Sequence, residues 1–167
     1  FTQLTAKAAL AWGIGGGEAG QDLANIKTAL GLTIAETERY ADAVNHLADN
    51  TASSAPSLIS FTKEVAVQGE FFGFTKEQTL AFGSAMISAG SEANVAATSF
   101  RNMGRALTKG SSASTRQVNA FKKLGMSATK VAKAMQEDAV GTTMEVIDAI
   151  GQLPKEMQAA AISDLFG

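Results

Sequence analysis

One punctuation recurs along this 167-residue chain and limits what it can fold into: a glycine, an apolar residue, then a threonine or serine. It stands at Gly31-Leu32-Thr33, Gly73-Phe74-Thr75 and Gly125-Met126-Ser127, with Glu36 and Gln78 three residues after the first two hydroxyls. A glycine closes one helix in a left-handed conformation, the hydroxyl residue caps the next, and the acid or amide completes a capping box. Ser114 with Gln117 offers another box, and Leu153-Pro154 puts a proline where a helix can begin. Between the stops the apolar period is helical. Ala41, Val44, Leu47 and Ala48 share one face, as do Ala96, Phe100, Met103 and Leu107, then Ala128, Val131, Ala132 and Met135, then Val146, Ile147 and Ile150. No comparable stretch alternates with period two. The expected class is therefore all-α, a compact bundle of eight to ten short helices. They fall near residues 3–12, 18–30, 34–49, 56–68, 76–89, 92–108, 114–124, 128–136, 142–152 and 154–165.

The glycine run from Gly13 to Gly17 is the main interruption, so residues 1–17 are expected to be an N-terminal arm and hinge. Residues 18–167 are expected to form one helical core domain. The three glycine stops are too unevenly spaced for a repeat array. With 46% hydrophobic and 18% charged residues, the chain is neither disordered nor a charged coiled coil. Cysteine is absent, which excludes disulfides, thiolate metal sites and thiol nucleophiles. A single histidine, His46, argues against a zinc site. No uncharged stretch reaches the ~20 apolar residues that a membrane-spanning helix needs. The chain starts at Phe1, not Met, and reads as a piece of a longer helical protein.

Candidate chemistry is sparse. His46 has Asp42 and Asp49 within helical reach, and Ser53 or Ser54 nearby in sequence, which permits a hydrolase reading. No strained nucleophile turn or oxyanion loop accompanies them, so a solvated polar face is the expectation. Gly13-Ile14-Gly15-Gly16-Gly17 lacks the Lys-Ser/Thr of a phosphate loop, and no strand precedes it. Glu145 and Asp148 sit opposite Val146, Ile147 and Ile150 and should face water, without the enclosure that paired-carboxylate catalysis requires. Phe71, Phe72 and Phe74 are expected to anchor a helix corner in the core. No catalytic, cofactor or metal site is expected.

Charge distribution is the strongest anomaly. From Ala93 to Gln136 there is no Asp or Glu, yet the stretch holds Arg101, Arg105, Lys109, Arg116, Lys122, Lys123, Lys130 and Lys133. The rest of the chain has six basic and 16 acidic residues. Arg101, Arg105 and Lys109 are spaced by four and should form a stripe. These eight residues are the candidate interaction surface, toward an acidic protein surface or toward nucleic acid. The aromatics in the stretch, Phe100 and Phe121, fall on apolar faces and are not placed for base stacking.

The run Tyr40-Ala41-Asp42-Ala43-Val44-Asn45-His46-Leu47-Ala48-Asp49-Asn50-Thr51 resembles a segment of phage tail tape measure proteins, in the conserved core found in siphophages, P2-like phages and prophages. Phe74-Thr75-Lys76-Glu77-Gln78, Ala89-Gly90 and Phe100-Arg101-Asn102-Met103 look like the helix pair that follows. Leu124-Gly125-Met126, Leu153-Pro154, Ala159-Ala160-Ala161 and Leu165-Phe166-Gly167 are similar to its ending, so the resemblance covers roughly residues 20–167. It implies a structural, non-enzymatic virion protein. Family members lie in the tail tube lumen, set its length, nucleate tube assembly, and in some cases aid DNA ejection. The implied partners are tail tube protein, tail assembly chaperones and tail tip or baseplate hub proteins. Other copies of the chain in a homo-oligomer are also implied, with DNA as an indirect partner and synthesis in the host bacterial cytoplasm. The stops at Gly31, Gly73, Gly90, Gly110 and Gly125 fit a compact core within such a protein, not its rod. The rival reading is a nucleic-acid-binding helical module using the basic 101–133 segment.

Overall fold

Helix starts are fixed by local chemistry. In the computed structural model, which describes residues 1–167, Thr33, Thr75 and Ser114 each close the expected capping box. At Thr33, the Glu36 carboxylate accepts the Thr33 N–H at 2.8 Å and its hydroxyl at 2.7 Å, while Thr33 Oγ1 accepts Glu36 N–H. The Thr33 backbone bond, then the hydroxyl, hold the Glu36 carboxyl below the usual carboxylate value. Ser54 caps another helix by accepting Ser57 N–H, with a proline in that helix's first turn.

The chain is all-α, with no strand. In order the helices are α1 (Thr2–Trp12), α2 (Gly16–Ala29), α3 (Ile34–Asn50), α4 (Ala55–Val65), α5 (Gln68–Phe71), α6 (Lys76–Ser88), α7 (Ala93–Thr108), α8 (Thr115–Lys123), α9 (Ala128–Glu137), α10 (Ala139–Gly151) and α11 (Lys155–Phe166). A 3-10 turn, Gly110–Ser112, precedes α8. Three departures from expectation are informative. The helix expected over 56–68 stops at Val65 and restarts as the four-residue α5. The tenth helix begins at Ala139, ahead of 142, because Asp138 Oδ1 accepts Gly141 N–H at 2.9 Å. Ser127 caps nothing with its side chain, since its hydroxyl bonds to Thr129 Oγ1 instead.

Residues 1–68 with 75–100 form one compact unit, and residues 69–74 with 101–167 form a second. In the first unit, Leu4, Ala8 and Trp12 are buried in the same core as Leu23, Ile26, Val44, Leu58 and Leu80. Residues 1–17 are therefore no free arm. α1 ends at Gly13, whose left-handed backbone (φ 65°) turns the chain at once into α2, and the two helices fold back as a hairpin. Leu4, Ala8 and Trp12 recur every fourth residue, and burying a large apolar side chain such as that of Leu4 is worth about 1.5–3 kcal/mol. That outweighs the freedom a glycine run gains by staying loose.

The rest of the first core is aromatic. Phe61 is fully buried and lies flat where Gly83 of α6 leaves no side chain. A Cβ at Gly83 would strike the Phe61 ring. Phe61 also meets Phe100 edge to face, with ring centroids 5.9 Å apart. Several polar groups inside pair with one another, while Trp12 Nε1, Gln68 Oε1 and Ser88 Oγ are buried without a partner. Thr62 Oγ1 donates to Leu58 O at 2.9 Å, so the Tyr40 hydroxyl, 2.9 Å away, donates to Thr62. Burial pushes the Tyr40 phenol up to about 12. Thr51, Ser53 and Ser84 join hydroxyl to hydroxyl at 2.7–3.1 Å.

In the second unit, Phe72 lies against Gly104 of α7, where a Cβ would again collide with the ring. Met103, Leu107, Phe121, Val131, Met135, Val146, Ile150 and Leu165 are buried. Of the three clustered phenylalanines, Phe72 and Phe74 enter the core as expected, but Phe71 is 75% exposed.

Candidate functional site

The acid-free run from Ala93 to Gln136 passes through α7, α8 and α9, and all eight of its cations lie in the second unit. They do not share one fate. Arg116 Nε donates to Asp164 Oδ1 at 2.7 Å, and its Nη2 donates to the carbonyl and the hydroxyl of Ser163, both at 2.9 Å. Lys123 lies 3.8 Å from the other Asp164 oxygen. Two cations of α8 thus hold the last turn of α11. Gln117 reinforces the clasp: its Nε2 donates to Leu165 O at 2.9 Å, satisfying a carbonyl that a helix end leaves open. Gln117 Oε1 in turn accepts Lys109 Nζ at 3.2 Å. Lys133 lies 4.0 Å from Glu137 on its own helix.

Arg101 is half-buried, so the expected stripe of Arg101, Arg105 and Lys109 is not uniform. Arg105, Lys122 and Lys130 stand exposed and enter no ion pair. Lys122 and Lys130 flank the α8–α9 corner at Met126-Ser127. On one side, between α9 and α10, an open groove of about 380 Å³ is floored by Met126, Val131 and Val146, with Lys130 and Glu145 among its lining residues. On the other, a groove of about 280 Å³ is lined by Val118, Met126 and Lys122. The two grooves share Met126 and Ser127, and each is lined by a lysine that enters no ion pair. They offer no base-stacking platform, since Phe100 and Phe121 are 0% and 1% exposed.

The other candidates resolve into structural roles. His46, Asp42 and Asp49 are exposed, and Asn50 Nδ2 donates to the His46 carbonyl at 2.7 Å. Ser53 belongs to the buried hydroxyl cluster and Ser54 to a helix cap. Gly13 to Gly17 form the turn into α2, with Gly15 at its N-cap. Glu145 and Asp148 are exposed, and Asp138 caps α10. No group of three or more histidine, aspartate or glutamate residues is placed to hold a metal ion. No helix is long and apolar enough to cross a membrane.

The clasp residues Ser163 and Asp164 were not visible as partners in the sequence, because they lie 47 and 48 residues from Arg116.

Comparison with known proteins agrees with this structural character. The chain is 29% identical, over all 167 residues, to a probable tape measure protein of Halomonas phage phiHAP-1, and spans 19% of that protein's length. No solved structure matches. A family model described as phage-related minor tail protein matches residues 1–167 from end to end, and the chain belongs to that family.

Proposed function

We propose that these residues are the compact core of a tape measure protein that sets tail length and nucleates the tail tube. The observation that carries the reading is the match along the whole chain to a probable tape measure protein about five times as long. A helical chain converts residue count into distance at ~1.5 Å per residue. In this reading the flanking sequence is the ruler, and the core docks tube, chaperone or tip proteins from within the tube lumen. It assembles with further copies of itself, and the protein leaves with the DNA at ejection. The deciding experiment is tail length by electron microscopy after in-frame deletions in rod-like flanking sequence of the parent gene. Shortening by about 1.5 Å per residue removed is expected. Unchanged length overturns the ruler role.

The docking cations in this reading are Lys122 and Lys130 at the α8–α9 corner and the exposed Arg105 of α7. An acidic tube wall is their natural complement. Replacing all three by glutamine should reduce tail yield while leaving the fold intact by circular dichroism. Normal tails from the triple variant would remove them from the docking role. Retention of the wild-type chain on DNA, falling steeply with salt, would instead favour the nucleic-acid module.

A further inference from the structure

The apolar stripe of α4 does not end where the helix ends. Leu58, Phe61, Thr62 and Val65 are buried, and the same three-and-four spacing runs on through Gly69 to Phe72, both buried. No proline or turn-forming pair intervenes, only Ala66, Val67 and Gln68. The local sequence therefore favours one helix, and the structure breaks it.

At the break Ala66 has φ 33° and ψ −118°, and it is the one non-glycine residue with positive φ. That pair lies near the first central position of a type II′ turn, which glycine dominates because a Cβ there meets neighbouring backbone. The Ala66 N–H still bonds to Thr62 O at 2.8 Å, so α4 is intact up to the strained residue. Two residues on, Gln68 Oε1 is buried with no donor. Backbone strain and an unsatisfied acceptor thus meet in one joint, beside a sequence that offers a relaxed alternative. Gly69 weighs the other way, since a glycine inside a helix sacrifices backbone entropy.

We propose that residues 55–71 are a two-state joint, kinked at Ala66 in the compact chain and one continuous helix of about 25 Å when the chain is built into a tail. The tail half of this proposal rests on the function proposed above. The joint itself rests only on the geometry at Ala66 and Gln68.

Two substitutions separate the forms. Ala66→Gly relieves the kink and Ala66→Val aggravates it, whereas in an ordinary helix both destabilise. Trp12 is the single tryptophan and is buried in the same unit, so its fluorescence during denaturant unfolding reports on that unit. Ala66→Gly is expected to raise the folded-to-unfolded ratio roughly threefold to tenfold, and Ala66→Val to lower it about tenfold or more. A fall with Ala66→Gly overturns the strain and the joint with it. In phage carrying the same glycine variant, fewer or misassembled tails are expected despite the more stable chain, because the kink is held. Normal tails from a stabilised Ala66→Gly chain overturn the straightening, and leave the ruler reading to be decided by tail length.

Discussion

Both compact units seat a phenylalanine on a helix glycine, Phe61 on Gly83 in the first and Phe72 on Gly104 in the second, yet they finish their packing differently. The first closes its interior with rings and internally satisfied hydroxyls: Phe61 against Phe100, Tyr40 to Thr62, and the Thr51–Ser53–Ser84 cluster. Its ion pairs, such as Lys63–Asp22 at 2.9 Å, are added to helices whose inner faces already pack. In the second unit α11 buries only Ala161 and Leu165. That helix depends on polar anchors from α8, namely Arg116, Lys123 and Gln117. The difference shows that a helix with a thin apolar stripe can be held by charge-assisted bonds to its last turn. It should then respond to salt where the first unit does not.

The largest effect that bears on this contrast is Phe61→Ala, expected to cost about 3–5 kcal/mol in the first unit, with little dependence on salt. Denaturant unfolding followed by Trp12 fluorescence measures it, and a strong salt dependence would erase the contrast. Next is Gly104→Ala, which drives a methyl into the Phe72 ring and should cost about 1–3 kcal/mol in the second unit, despite alanine's better helix propensity. Hydrogen exchange of α7 and α10 amides would show it. An unchanged pattern would mean Phe72 is not seated as described.

Arg116→Ala should cost about 1 kcal/mol, discounted because the arginine is 56% exposed. Faster exchange should be confined to α11, and the difference from wild type should shrink in 1 M salt. A salt-independent loss would assign α11's hold to packing alone. The smallest effect is at high pH. Tyr40 is the only tyrosine and its phenol is raised to about 12 by burial. The unfolded chain therefore ionises first, and this contribution to stability is lost as pH rises from the ordinary phenol value through about 12. Absorbance titration should show no tyrosinate near pH 10 in the native chain, and Tyr40→Phe should flatten the alkaline loss.

Nearly every helix was legible in the sequence because its start signal is local. Thr33 needs only Glu36, and Thr75 only Gln78. Where the deciding contact is distant, reading by period failed. Glycines 13 to 17 looked like a hinge, since nothing near them shows that Leu4, Ala8 and Trp12 find a core built by α2, α3 and α4. The charge run looked like a uniform stripe, since the acid that claims Arg116 and Lys123 lies on α11. The break at Ala66 carries no residue signal at all. Asp138 is readable as a cap, an aspartate three residues before Gly141.

The second unit's membership has a consequence for synthesis. Residues 69–74 belong with 101–167, although residues 75–100, which belong to the first unit, lie between them. A ribosome therefore delivers Phe72 some thirty residues before the Gly104 that receives it. At ~5–20 residues per second, the two are made roughly 2–6 s apart. Met135 and α10 follow later still.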